Sequence, residues 1–279
     1  MIGHSLHSSV IMFLLIGILF IAPGMTAYAQ TNPEHVRSEV YIDRSDKQSI
    51  SGITEIAFAW GQLFDPPQDL LRGVINLKEA MNRWTDVVTT LNQHLLLSDP
   101  GIRDLPFMFV TADKVFDLTE AEKRNLREYF SSGGFMFLDN SQPQSEFSAS
   151  GASLRKMLED VIPNALFAPI PDNHQIYHSF FDFDDGPPQG SEVNLHLSVG
   201  KSNSGDSVRI RAHRMTMNKQ VLYLEGAWLE GDLVAVYSDK GYIVKWNDTS
   251  NNEPQLRMGV NLIIYALTRG PTNAIKNYR

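Results

Sequence analysis

The sequence predicts an α/β domain, a largely parallel sheet flanked by helices, with an antiparallel hairpin inserted in the C-terminal half. Three observations carry this. FMFV at 107–110 and FMFL at 135–138 are continuous apolar runs, as strands buried on both faces require. Between them lies a capped amphipathic helix, so strand, helix and strand follow one another as in a parallel crossover. After residue 189 the texture changes: EVNLHLSV and VRIRAHRM alternate on either side of GKSNSGD, the pattern of a hairpin with a Gly/Ser turn.

The elements follow in order. The first 33 residues carry no Asp, Glu, Lys or Arg, and the apolar run at 10–25 is short for a membrane span. It leads to Ala27 and Ala29, the small-x-small pattern of signal-peptide cleavage, which makes 1–29 a signal peptide and the protein an exported one, periplasmic or secreted. If cleavage fails, the same segment is an N-terminal membrane anchor. After cleavage no transmembrane segment is expected. Residues 30–51 are polar without periodicity and read as a linker, 52–270 as the domain and 271–279 as a tail.

The domain opens on ITEIAFAW at 53–60, where Ile56, Phe58 and Trp60 alternate with alanines as in a strand. GQLFDPPQDLLRG reads as a loop. A first helix is expected over 77–94, with Leu77, Ala80, Met81, Trp84, Val87, Val88 and Leu91 on one face and Asn76 with Glu79 as its capping box. HLLL at 94–97 suggests a short second strand. Thr119 and Glu122 form the T-x-x-E box of the next helix, Leu126, Tyr129 and Phe130 its stripe, and Gly133-Gly134 its end. A third helix carries Leu154, Met157, Leu158, Val161 and Ile162 and stops at Pro163. VLYLEG, DLVAVYS and YIVKW read as strands. A buried helix over 255–268 closes the domain, with Gly270-Pro271 as its stop.

Composition removes several function classes. Cysteine is absent, which excludes thiol nucleophiles, cysteine–zinc sites and iron–sulfur ligation. A net charge of −8 argues against nucleic acid as a partner. Gly200-Lys201-Ser202 lacks the first glycine of a phosphate loop, since Leu195 stands there.

The stretch HSFFDFDDGPP at 178–188 concentrates one histidine and three aspartates. With His174 it supplies four candidate metal ligands: His174 and His178 at the i, i+4 spacing of a helical pair, and Asp182 and Asp184 as oxygen donors. The simpler reading places one histidine in solvent and the other on a backbone carbonyl, with Asp172 and Asn173 capping a short helical turn. Phe181 and Phe183 then face inward while Asp182 and Asp184 face water, and Asp185-Gly186 makes the turn.

Asp139 and Asn140 follow a buried parallel strand, where open α/β sheets gather their ligands, and with His174 they are the ligand-binding candidates. Ser141 and His178 join Asp139 as catalytic candidates. The plainer alternative is a helix cap or loop bond, and no G-x-S-x-G surrounds Ser141.

Five stretches in order resemble the family named domain of unknown function 4159: LPFMFVTA, LTEAEKRNLREYFSSGGFMFLDN, HQIYHSFFDFDDGPP, LEGAWLEGDLVAVYSD and LRMGVNLIIYALTR, together spanning most of 53–269. The resemblance implies an exported bacterial protein with a flavodoxin-like, class I glutamine-amidotransferase-like fold, and makes the 190–220 hairpin an insertion. Amidotransferases place a cysteine at the turn after a central strand. The matching turn here reads DNSQPQS, without thiol. The expectation is therefore a non-catalytic binding or assembly module of the cell envelope, without a cofactor, whose partners would be other envelope proteins. The alternative is a cysteine-independent hydrolase, metal-assisted or not, with its pocket at the carboxyl edge of the sheet.

Overall fold

Continuous apolar runs make buried strands, and these organise the molecule. The computed structural model describes residues 38–43, 45–65, 67–143, 148–192 and 221–269, with the backbone of 275–277. The chain runs β1 (Ser38–Ile42), β2 (Ile50–Trp60), α1 (Leu71–Trp84), β3 (Asp86–Leu96), β4 (Phe107–Ala112), α2 (Glu120–Ser131), β5 (Phe135–Asn140), α3 (Ala149–Val161) and β6 (Leu166–Pro169). It continues with β7 (Glu225–Leu229), β8 (Asp232–Ser238), α4 (Tyr242–Asn247), α5 (Glu253–Thr268) and β9 (Ile275–Asn277).

The strands form one mixed sheet. Its centre, in the order β3-β2-β4-β5-β8, is parallel throughout. β7 and then β6 extend the β8 side antiparallel. Strand β2 is long enough to serve three neighbours: β3 lies along one edge, while β1 pairs with 50–54 and β4 with 56–58 on the other. β9 adds to β1 in parallel.

Helices cover the central strands on both faces, which explains the unbroken apolar runs. Phe107, Phe109, Phe135 and Phe137 point to a core with α1, α4 and α5, while Met108, Val110, Met136 and Leu138 point to a second core with α2 and α3. All of β4 and β5 is buried, and each large apolar side chain removed from water there contributes about 1.5–3 kcal/mol. The expected capping box forms: Thr119 Oγ1 accepts from Glu122 N–H at 3.4 Å, and Glu122 Oε2 from Thr119 N–H at 2.7 Å. Gly133, with φ 87°, ends α2 in the left-handed conformation. Arg269 then clamps the corner, donating to the carbonyls of Leu233, Gly133 and Gly134 at 2.6, 2.9 and 2.7 Å.

Several expectations are corrected. The helix placed over 77–94 is two elements: α1 begins at Leu71, inside the stretch read as a loop, and ends at Trp84, and β3 takes 86–96. Val87 and Thr89 are buried while Val88 and Thr90 are exposed, so the true period there is two. The β-branched run from Val87 to Thr90 favours that outcome. The Asn82 amide fixes the corner, accepting from Thr89 N–H at 2.7 Å and donating to Thr89 O at 3.4 Å. Asn76 lies inside α1 and caps nothing; its amide donates to Trp246 O at 2.7 Å. HLLL is largely the end of β3 rather than a separate strand.

The stretch read as linker contains β1 and the start of β2, and the C-terminal tail contributes β9. YIVKW is α4, not a strand. Gly241 (φ 63°) precedes it in the left-handed region, and the Trp246 ring packs 5.4 and 5.9 Å from those of Phe109 and Phe137. VLYLEG becomes strand only from Glu225, and β6 carried no recognisable signal. The hairpin insertion expected after 190 falls mostly on 193–220, outside the described residues, as does the signal peptide.

Candidate functional site

In the parallel centre, β2 is followed by β3 on one side and by β4 on the other, so the strand order reverses between β2 and β4. Ligands of open α/β sheets bind outside the carboxyl ends at such a point. Here the chain fills it. Phe64, after β2, and Phe116, after β4, are buried with ring centroids 4.0 Å apart. Beside them Glu122, fully buried, accepts from Gln62 N–H at 2.6 Å through Oε1 while Oε2 closes the α2 capping box. One carboxylate thus ties the end of β2 to the start of α2.

The polar residues at the end of β5 and just beyond it are also engaged. Asp139 is fully buried, and its Oδ2 accepts from Ile243 N–H at 2.8 Å, 104 residues along the chain. It caps α4 from the sheet, because Gly241 has no side chain to do so. Burial pushes its carboxyl up to about 7, with the Ile243 N–H, the Ser238 hydroxyl and the Tyr242 N–H opposing the rise. Asn140 Oδ1 accepts at 3.0 Å from each of Gln142 N–H, Ser148 Oγ and Ser150 Oγ, and its Nδ2 donates to Asp239 at 2.7 Å. Ser141 Oγ donates to Ala112 O at 2.8 Å, so its proton lies on a backbone carbonyl, away from any base.

The histidines diverge. His174 Nδ1 accepts from Ile176 N–H at 3.1 Å, so this side chain caps the 175–177 turn in place of Asp172 and Asn173. Its ring packs against Trp228 and Tyr265, at 5.2 and 5.5 Å, and burial pushes its pKa down. His178 faces the other way, with Nδ1 3.1 Å from Asp182 and Nε2 3.3 Å from Asp172 O. Lys47 also bonds Asp182, and Lys47 first and His178 second hold that carboxyl below its usual range. Asp184 is exposed. Among the described residues no three His, Asp or Glu side chains gather as a metal would need. Phe181 and Phe183 pack against the core while Asp182 and Asp184 stay in water, as the alternation predicts.

An open depression of about 600 Å³ lies beside this loop, between Phe181, Phe183, residues 249–252 and the start of α5, with Arg257 in its wall. Arg257 sits over the Phe181 ring at 4.9 Å and covers one of its faces.

Lys240 and Glu192 carry no signal of their own in the sequence. Lys240 Nζ lies 2.7 Å from Glu192 Oε1, both side chains within 1 % of full burial. Lys240 also donates to Val221 O, and Glu192 Oε2 accepts from Gly190 N–H at 2.7 Å. Buried charges are held only when paired and hydrogen-bonded, and this pair joins the end of β8 to both 190–192 and 221. The partners stand 48 residues apart, so no local motif could reveal them.

Fold and site together define a mixed α/β protein whose carboxyl-edge side chains bond one another and the backbone. Over residues 65–267 the chain matches the model of the family described as Domain of unknown function (DUF4159), and it belongs to that family. Comparison with the curated proteins gives no match.

Proposed function

We propose that the protein is a non-catalytic binding or assembly module of the bacterial envelope, exported and acting on other envelope proteins, on a flavodoxin-like, amidotransferase-like scaffold. The order β3-β2-β4-β5-β8 supports the scaffold: numbered along the chain it reads 2-1-3-4-5, the flavodoxin-type order. The signal-like pattern ending at Ala29 supports export. The observation that carries the functional reading is the filled crevice, where Phe64, Phe116 and Glu122 occupy the place a substrate takes in related architectures. No helix among the described residues is long and apolar enough to cross a membrane.

The test is metal analysis of the purified protein, thermal shift with divalent ions, and assay on chromogenic esters and amides. The reading predicts no stabilisation by any ion and no turnover. A stoichiometric metal lost in His178→Ala, or hydrolysis abolished in Ser141→Ala, would overturn it in favour of the cysteine-independent hydrolase.

A further inference from the structure

Strand β3 is an edge. Among the described residues it pairs with β2 alone, and at 11 residues it is long, about twice the usual strand. In a parallel strand the N–H and C=O of one residue turn to the same side, and successive residues alternate. Every second residue of β3 therefore turns its backbone groups away from the sheet, the template on which another strand can form. The stretch VVTTLNQ at 87–93 suits such pairing: four of its residues are β-branched, and none is charged, Pro or Gly.

The outward groups are nevertheless taken, by side chains of the same corner. Thr89 N–H donates to Asn82 Oδ1 at 2.7 Å and Thr89 O accepts from Asn82 Nδ2 at 3.4 Å, the two bonds a neighbouring strand would make. Two residues earlier, Val87 N–H donates to Thr85 Oγ1 at 3.2 Å and Val87 O accepts from Thr89 Oγ1 at 3.3 Å. Further along, the register slips between the Ala57–Asn92 and Ala59–Leu95 pairs, and His94 N–H donates to Asn92 Oδ1 at 3.2 Å. Such a bulge twists an edge out of line for pairing. The amino half of β3 has no bulge, so there the side chains alone close the edge.

We propose that residues 87–93 are a latent self-pairing segment, and that Asn82 with Thr85 keeps it from joining the same segment of a second copy of this chain. A second copy is the partner because an uncharged stretch meets its own copy without repulsion, and two identical edges close on each other about a two-fold axis. The inference goes beyond the binding-module reading and does not depend on it.

The test is sedimentation velocity of the full protein over a concentration series. Asn82→Ala with Thr85→Val strips the edge, and its weight-average mass should rise to about twice that of wild type or beyond at equal concentration. Hydrogen exchange read by mass spectrometry should slow over 87–93 as that mass rises. Val88 is 61 % exposed, and adding Val88→Lys should reverse the association by setting like charges across the new pair. Arg269→Lys weakens a corner of the fold elsewhere but leaves β3 as it is, so it should sediment as wild type. Far-UV circular dichroism and thermal melts verify folding, and if the double variant does not fold, Asn82→Ala alone carries the test. The proposal is overturned if the stripped variant sediments as wild type, if Arg269→Lys associates equally, or if association persists with Val88→Lys. A wild-type oligomer that Val88→Lys alone disperses would also overturn it, since the edge would then be open from the start.

Discussion

Lys240→Met removes an ammonium that is 1 % exposed from a carboxylate that is fully buried. Among the described residues Glu192 then keeps the Gly190 N–H, and the Val221 carbonyl loses its charged donor. Breaking a buried pair from one side costs about 3–5 kcal/mol, because the surviving charge stays desolvated. Glu192→Leu should cost a similar amount from the other side. In the double variant both charges are gone. What remains is a deprived N–H and a deprived carbonyl, about 1–3 kcal/mol each, offset by two well-packed apolar side chains. The double variant is therefore expected to be no less stable than either single one, with a coupling energy of about 3 kcal/mol or more. Urea titrations followed by both tryptophan fluorescence and circular dichroism measure the cycle. In thermal melts each single change should lower Tm by about 6–20 °C. Arg103→Ala is the control: its pair with Glu128 is 45 % and 46 % exposed, and such pairs contribute about 0–1 kcal/mol. If the two single losses simply add, within about 0.5 kcal/mol, the buried-pair argument is refuted.

Asp139 links stability to pH. Burial raises its folded value from the ordinary 3.8 to about 7. The stability it supplies is therefore complete below 3.8 and lost as pH climbs through about 7. The difference is on the order of 4 kcal/mol. Wild type minus Asp139→Asn, followed by urea midpoint across this range, should fall with rising pH, and a flat difference would remove the argument. Asn82→Ala should cost about 1–3 kcal/mol and, by hydrogen exchange, expose the amide of Thr89 before those of β4. Arg269→Lys keeps the charge but not the fork that reaches three carbonyls. A loss of about 1.5–3 kcal/mol in denaturant titration is expected, and unchanged stability would show that charge alone suffices there.

The parts of the fold legible in the sequence are those whose signal is local. Thr119 and Glu122 are three residues apart and cap one helix. FMFV and FMFL state their burial within four residues each, because cores press on both faces of β4 and β5. The misreadings lie where local pattern and tertiary context disagree. From Leu77 to Leu91 the apolar residues fit a helical stripe, yet the chain turns at Thr85 and holds the turn through Asn82. That choice depends on β2 being there to pair with β3. YIVKW resembles a strand by composition, but Asp139 supplies a helix cap from β5 and Trp246 needs the surface made by Phe109 and Phe137. Neither cause is visible within ten residues of α4.

The same distinction decides how the candidate site should be understood. Asp139 is marked by its place at the end of a buried strand, and that place is functional in a physical sense: a carboxylate there reaches the start of α4. What position alone does not say is whether the group faces a ligand or the chain. The structure answers with partners, Ile243 N–H for Asp139, two serines and Gln142 for Asn140, Ala112 O for Ser141. Each of these bonds lies within the chain. The charged pair that holds this edge together, Lys240 with Glu192, has no motif because its two halves meet only after the sheet forms. The cluster HSFFDFDDGPP follows the same rule in reverse. Its acids look like ligands when read in a row, but His178 and His174 are committed to different backbone groups, and the two phenylalanines between the acids are what fix the loop to the core.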